Sequence, residues 1–349
     1  MRRTSKRARR NPRAATAKRR YVQHYAPPER HISYETALLK SIVGGHASGR
    51  VSRHALTFYS LMANTTPSLR ALNYRHGIAA GRSLYRLYAP TRRYVLYEES
   101  VDDIVSFFEL AGFGRITYHA LPNVIKIGMH DMLRLDLGMS THSFEAGMIA
   151  GFLTASKGQL MHVAEMTCSS DSASSCEFCS SSTAQDTGKF EIKGAFDAFV
   201  EDVSRQVLRE EEQTGPGIAN EYYALSSLVL LDGKYFHEIR AIADYLGGRL
   251  AVELGLESMT PGRMFRTVES SVRLLNMGIA KIKTSGRFDI TLKFSRLHSR
   301  KEFADLSVAF LHGLLRHAAK GASMKAKCLI NKSTYSVRLS KVKPRKRVH

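Results

Sequence analysis

Apolar residues recur at helical spacing in four stretches of the first half of the chain, and these stretches predict five helices. Asp102 and Asp103 suit the first turn of one helix, and Gly112 and Gly114 are placed to end it. The stretches are 34–62, which holds two helices, 67–88, 101–114 and 143–155.

Alternating apolar and polar residues predict strands between these helices. RITYHAL (115–121) and NVIKIGM (123–129) flank Pro122, a pattern typical of a hairpin. Residues 158–168 and a segment from about Cys176 predict two more strands. Helices interspersed with hairpins indicate an α+β fold, in which a helical layer packs on an antiparallel sheet.

The second half repeats this order of sequence blocks at an offset of 162 to 167 residues. Because four ordered blocks are hard to obtain by chance, the sequence predicts two tandem copies of one small domain. The matched blocks are GRSLYRLY at Gly81 with GGRLAVELGLE at Gly248, residues 101–118 with 265–282 around Gly114 and Gly278, residues 123–127 with 288–292, and residues 150–158 with 312–321.

Composition sets the predicted domain boundaries. Residues 1–30 and 341–349 form basic tails that cannot bury apolar surface, and we expect them to be disordered. The first domain covers residues 31–182, and a degenerate second copy covers residues 190–340. A Ser-rich linker near residues 181–189 separates the two.

Most of the net charge of +21 lies in the two tails. Residues 1–20 hold ten Lys or Arg, from Arg2 to Arg20, and residues 341–349 hold five, from Lys341 to Arg347, with no acid in either. Such arms bind polyanions by releasing counterions from phosphates. DNA or RNA is the expected partner and an anionic membrane surface the alternative. The sequence contains no recognisable helix-turn-helix for sequence-specific DNA binding.

The chain has no run of about 18 apolar residues and no secretory signal, so we expect a cytoplasmic protein without a transmembrane helix.

Three of its four cysteines lie within twelve residues. In the cytoplasm such clustering favours a metal site over disulfides. A redox pair of Cys176 and Cys179 is the alternative.

Glu165, Cys168 and Cys176 form the pattern E-x2-C-x7-C. A seven-residue loop between antiparallel strands would bring the two thiolates side by side. Glu165 can reach the same point if its strand bends at Met166–Thr167. Zinc takes four such ligands in a tetrahedron, so a fourth must come from elsewhere.

His142, at the start of the predicted helix 143–155, is the best candidate for the fourth ligand, and Cys179 is the next. It is an equally simple interpretation that His142 begins the helix and has no role in metal binding. The second copy lacks the cluster, and we interpret its Cys328 as a buried small apolar side chain. Its matching positions fall near Ala304, Lys327, Ile330 and Arg338.

Four blocks of the first copy, over residues 70–180, resemble the 4-vinyl reductase domain. They are HGIAAGRSLY, FFELAGFGRI, SFEAGMIAGFLTASKGQ and, most specific, VAEMTCSSDSASSCEF. That family includes sensor domains of hydrocarbon-responsive activators and archaeal hydrocarbon-binding proteins, and its fold is related to that of TRAPP vesicle-tethering subunits. In the sensors, the corresponding glutamate and two cysteines bind zinc with an upstream cysteine, where this chain has His142.

The resemblance implies a structural Zn²⁺ bound by His142, Glu165, Cys168 and Cys176. It also implies a site for an apolar small molecule, for which Phe107, Phe108 and Phe152 are candidates, although plain core is the favoured interpretation of all three. Tandem copies of such a dimerising fold are expected to pack as an intramolecular pseudo-dimer.

Three functions are compatible with these features. The first is a non-catalytic small-molecule-binding or regulatory module with a structural zinc, and the alternative is a nucleic-acid-associated protein whose folded body is a scaffold. A reductase is the least favoured, because no G-x-G-x-x-G follows a strand and fold analogy does not transfer chemistry.

Overall fold

The computed structural model describes most of the chain between the tails. The predicted linker, Cys168 and nearly all of both tails lie outside the described residues. These residues are 29–90, 97–121, 124–130, 137, 141–167, 176–181, 192–209, 217–284, 288–293, 301–318, 324–331 and 334–341.

The first half, residues 29–181, alternates helices with short strands and ends in a four-stranded antiparallel sheet of order β2-β3-β5-β4. Every helix and strand predicted from the pattern of apolar residues is present. The elements are α1 (Glu29–Val43), β1 (Arg50–Val51), α2 (Arg53–Ala63), α3 (Pro67–Tyr88), α4 (Tyr97–Ala111), β2 (Ile116–Leu121), β3 (Val124–Met129), α5 (Ser143–Lys157), β4 (His162–Thr167) and β5 (Cys176–Ser181).

The second half, residues 192–341, follows the same succession of helices and strands. Its strands form two antiparallel hairpins, β7 with β8 and β9 with β10, so the predicted α+β class is confirmed. The elements are α6 (Ile192–Arg209), β6 (Ile218–Ala219), α7 (Asn220–Ser226) with a 3₁₀ turn (Ser227–Leu231), α8 (Phe236–Glu253) with a 3₁₀ turn (Leu256–Ser258), α9 (Pro261–Leu274), β7 (Ile279–Thr284), β8 (Phe288–Lys293), α10 (Lys301–Ala318), β9 (Met324–Asn331) and β10 (Thr334–Lys341).

The C-termini of α4 and α9 are built in the same way. Gly112 follows α4 with a φ of +98°, and the Phe113 N–H donates to the Phe108 carbonyl at 3.0 Å. After α9, Asn276 has a φ of +52°, and the Met277 N–H donates to the Val272 carbonyl at 2.9 Å. Both are left-handed helix caps, which confirms the predicted end of α4 at its glycines.

Helix α5 is the centre of the first half, since every residue from Ser143 to Leu153 is buried. A helix that is apolar on all sides is expected in such a position.

Within the described part of the chain, no helix combines the length and apolar character needed to cross a membrane.

Glycines let α3 and α5 pack backbone against backbone. A Cβ on Gly81 would lie 2.0 Å from the Met148 carbonyl oxygen, and one on Gly151 would lie 2.2 Å from that of Ile78. Real side chains never approach so closely, so these positions accept only glycine at this helix separation.

Helices α8 and α10 of the second half meet in the same manner. A Cβ on Gly247 would lie 2.0 Å from the Phe310 carbonyl oxygen, and one on Gly313 would lie 1.9 Å from that of Asp244. Gly248 instead faces the His317 side chain. The match of Gly81 with Gly248 is therefore wrong by one residue, because Gly247 makes the helix contact that Gly81 makes.

The two halves are joined by a short antiparallel pair and by aromatic side chains. In the pair, β1 lies against β6 with Arg50 opposite Ala219 and Val51 opposite Ile218. The ring of Tyr222 in α7 lies among rings of the first half, and the ring of Phe58 in α2 lies against Phe199 and Phe310 of the second half. One continuous hydrophobic core results.

We expect Gly151→Ala to destabilise the protein by about 2 kcal/mol, because its methyl group would push α5 away from α3. Urea unfolding measures the change. Gly262→Ala is the control, since a Cβ there meets nothing within 4 Å and α9 should gain slightly from alanine. Equal stability of Gly151→Ala and the wild type would contradict the tight contact.

Glu35 in α1 provides a pH-dependent prediction. Burial raises the pKa of Glu35 from 4.5 to about 7, although a hydrogen bond with Ser83 lowers it in part. Since the folded state holds the proton more tightly than the unfolded state, this group's contribution to stability should fall as the pH rises from about 4.5 to 7.

Glu35→Gln, which stays neutral, should therefore be more stable than the wild type by roughly 3 kcal/mol at pH 8, but by less than about 1 kcal/mol at pH 5. Urea unfolding at both pH values tests this, with Glu257→Gln at an exposed position as the control. A stability difference that is the same at both pH values would contradict the assignment.

Candidate metal centre

Three of the four predicted metal ligands converge in the first half. His142 precedes α5, Glu165 lies in β4 and Cys176 begins β5, and all three side chains are buried. One potential ligand atom from each lies within 4.8 Å of the other two. The fourth predicted ligand, Cys168, follows Thr167 directly and lies outside the described residues.

His142 is the N-cap residue of α5, but its side chain makes no capping hydrogen bond. Its Nδ1 instead lies 2.7 Å from Glu165 Oε1, and its backbone N–H donates to Glu165 Oε2 at 3.2 Å. A carboxylate at a helix N-terminus is favoured by the exposed N–H groups and the helix dipole. Glu165 thereby fixes the helix start, and the imidazole turns toward β4 and β5.

The bend at Met166–Thr167, given above as the condition for Glu165 to reach the cluster, is present as an irregularity in the β4–β5 pairing. Glu165 pairs with Phe178, yet Thr167, two residues later, pairs with Glu177, so the register shifts between them. Met166 is 54% exposed at this point. A bulge of this kind re-aims the side chains on either side of it, which here brings Glu165 to the cluster.

Cys179 does not join the cluster. Side chains alternate along β5, so Cys176 and Phe178 are buried on one face while Glu177 and Cys179 lie on the other. The Cys179 thiol lies 3.7 Å from the Ser180 carbonyl oxygen. Two cysteines three residues apart in a strand point to opposite faces of the sheet. This geometry therefore favours neither Cys179 as the fourth ligand nor a Cys176–Cys179 redox pair.

A buried hydrogen-bond network holds the chain where it enters α5. The Ser143 hydroxyl donates to Asn64 Oδ1 at 2.6 Å and accepts from Asn73 Nδ2 at 2.9 Å. Asn64 Nδ2 in turn donates to the Thr141 carbonyl at 2.9 Å. These bonds come from α3 and the end of α2, so the helices position His142 independently of any metal.

Glu145, one helical turn after His142, extends the site toward the second half. Its Oε1 accepts a hydrogen bond from the Tyr222 hydroxyl at 3.0 Å. Burial raises the pKa of Glu145, and the nearby His142 partly offsets this. Neither residue is among the predicted ligands. Its spacing of three residues from His142 is a signal for Glu145, but no local pattern points to Tyr222.

The second half differs at each corresponding position. Ala304 lies inside α10, whereas His142 precedes α5. Strands β9 and β10 pair without a register shift, with Lys327 directly opposite Arg338. Among its described residues, the second half brings together no group of His, Cys, Asp and Glu that could hold a metal.

The phenylalanines considered as ligand-site candidates are core residues. Phe107 and Phe108 are buried against the ring of Tyr222. Phe152 is buried against Tyr85 and Tyr88. Their favoured interpretation as plain core agrees with these contacts.

The first half can thus place an imidazole nitrogen, a carboxylate oxygen and a thiolate around one buried point. Comparison with known proteins adds no assignment: no family model, no curated protein and no solved structure matches the chain. The chemistry of the cluster and of its neighbours therefore carries the functional argument.

Proposed function

We propose that the protein is a non-catalytic binding or regulatory module whose first half is held together by a structural Zn²⁺. The observation that carries this proposal is the buried group His142, Glu165 and Cys176. Imidazole and thiolate suit zinc, whereas calcium and magnesium prefer ligand sets made of oxygen. Cys168, next in sequence to β4, is the proposed fourth ligand.

Four protein ligands would close the coordination shell and leave no position for a substrate. The ion would clamp the start of α5 to the last two strands of the sheet. This arrangement supports a structural role, and it gives no support to the reductase alternative. In the cytoplasm, where we place the protein, thiols stay reduced and available to zinc.

We propose further that the halves are copies of one 4-vinyl-reductase-like domain packed as a pseudo-dimer. The repeated succession of elements supports this, and so does the β1–β6 pair. Arg50 and Ile218 are each the first residue of their strand, and each pairs with the second residue of the other. β1 and β6 are the first strands of their halves, and a two-fold interface between two copies would bring such corresponding strands together.

In this proposal the module responds to an apolar small molecule, as the family resemblance implies, and the basic tails bind nucleic acid. The second candidate function, a nucleic-acid-associated scaffold, rests on the cations of the two tails, ten in residues 1–20 and five in residues 341–349. The two functions are compatible, because the candidate metal ligands and the basic residues of the tails lie in different parts of the sequence.

Protein purified without chelators should contain about one zinc per chain, measured by elemental analysis. Cys176→Ser should reduce the bound zinc and lower the melting temperature by about 5 °C or more, since metal binding adds to folding stability. Cys179→Ser, on the other face of β5, is the matched control and should change neither. A zinc-free wild type, or full zinc content in Cys176→Ser, would contradict the site.

Binding to DNA or RNA should weaken by about 10³-fold between 50 and 200 mM salt if the tails contact six or more phosphates. Removing residues 1–20 should abolish most of the binding. Fluorescence anisotropy with a labelled oligonucleotide measures both effects, and competition by anionic vesicles tests the membrane alternative. Salt-insensitive binding, or binding retained by the truncated chain, would refute the proposal for the tails.

A further inference from the structure

Tyr222 is a second-half residue buried inside the first half. It lies in α7, is fully buried, and its ring contacts four phenylalanine rings at centroid distances of 4.8 to 6.1 Å. Edge-on contacts of this kind add to the free energy of apolar burial. The four rings belong to Phe107, Phe108, Phe113 and Phe144.

The Tyr222 hydroxyl donates a hydrogen bond to Glu145, in the first turn of α5. The hydrogen bond between them is 3.0 Å long, and Glu145 is only 1% exposed. A hydrogen bond to a buried carboxyl group is costly to break, because water cannot replace the lost partner. The second half is thereby tied to the helix whose N-cap is the candidate ligand His142.

Glu145 has an oxygen that the described residues leave unsatisfied. Its Oε2 is buried and has no hydrogen-bond partner among them. Glu145 and His142 lie three residues apart, so their side chains share one face of the first turn of α5. An unsatisfied carboxyl oxygen beside a candidate ligand matches the outer shell of metal sites, in which carboxyl groups orient the ligands.

We propose that the Tyr222–Glu145 hydrogen bond couples metal binding in the first half to the docking of the second half. Tyr222 and Glu145 act as positioning residues, because they hold the first turn of α5 in the orientation that presents His142 to Glu165 and Cys176. By linkage, a metal ion that favours this orientation favours the docking of α7 to the same degree. This inference rests on the proposed zinc site.

Tyr222→Phe is the direct test, since it keeps the ring among the phenylalanines and removes only the hydroxyl. We expect the zinc affinity of the full chain, measured by competition with a chelating indicator, to fall about tenfold. Tyr223→Phe is the matched control: this neighbouring tyrosine is also buried, but its ring packs on Tyr59, and zinc affinity should not change.

Substitutions at Glu145 separate positioning from general damage to the core. Glu145→Gln keeps an oxygen that can accept from Tyr222 and should retain most of the zinc affinity. Glu145→Ala should lose at least as much as Tyr222→Phe, and the double variant should be little worse than Glu145→Ala, because Tyr222 acts through Glu145.

Hydrogen exchange provides the reciprocal measurement. Zinc should slow the exchange of amides in α7 (Asn220–Ser226) in the wild type, and this slowing should shrink in Tyr222→Phe. The coupling is overturned if Tyr222→Phe binds zinc as tightly as the wild type, or if Tyr223→Phe weakens binding equally. A wild type that binds no zinc would instead overturn the proposed zinc site, and the coupling with it.

Discussion

Each half of the protein completes its hydrophobic core with aromatic side chains from the other half. Tyr222 fills the first half, and Phe58 with Tyr59 fills the second, where their rings meet Phe303 and Phe310. Burying one such ring removes 150–250 Å² from water, which is worth roughly 4–6 kcal/mol at 25 cal/mol per Å². Neither half could lose these rings without a large part of its stability.

Because the two halves share their aromatic side chains in this way, α5 cannot move independently of its neighbours. Helix α5 packs on α3 through Gly147 and Gly151, places His142 at its start, and carries Glu145 toward α7. A displacement of α5 would therefore disturb the helix pair, the candidate metal centre and the contact between halves together. Because all of its residues from Ser143 to Leu153 are buried, no exposed face allows it to adjust without such effects.

The local parts of the structure were predictable from sequence because they follow local periodicity. The helix 67–88, the cap at Gly112 and the hairpin around Pro122 depend on residues within one element or its neighbour. A bend at Met166–Thr167 was the condition under which Glu165 reaches the position of Cys176, and the register shift lies at that point.

Contacts between distant elements could not be predicted in this way. The Tyr222–Glu145 bond joins positions 77 residues apart, and α7 has only seven residues, too few to show a pattern of its own. The spacing of Cys176 and Cys179 matched a chelating motif, but such a motif needs a turn. The two residues lie instead in β5, where alternation places them on opposite faces.

The contrast between the last hairpins explains why one half would need a metal and the other would not. Strands β4 and β5 have six residues each and a register shift, and eight residues, 168–175, connect them. Strands β9 and β10 have eight residues each in continuous register, with only residues 332–333 between them. A longer connection costs more closure entropy, and a shorter, irregular ladder offers fewer hydrogen bonds to offset it. A metal cross-link between Glu165, Cys176 and the start of α5 would supply the stability that the hydrogen bonds of β4 and β5 do not. In the second half α10 continues through Ala304, and the backbone hydrogen bonds of β9 and β10 close the hairpin without a cross-link.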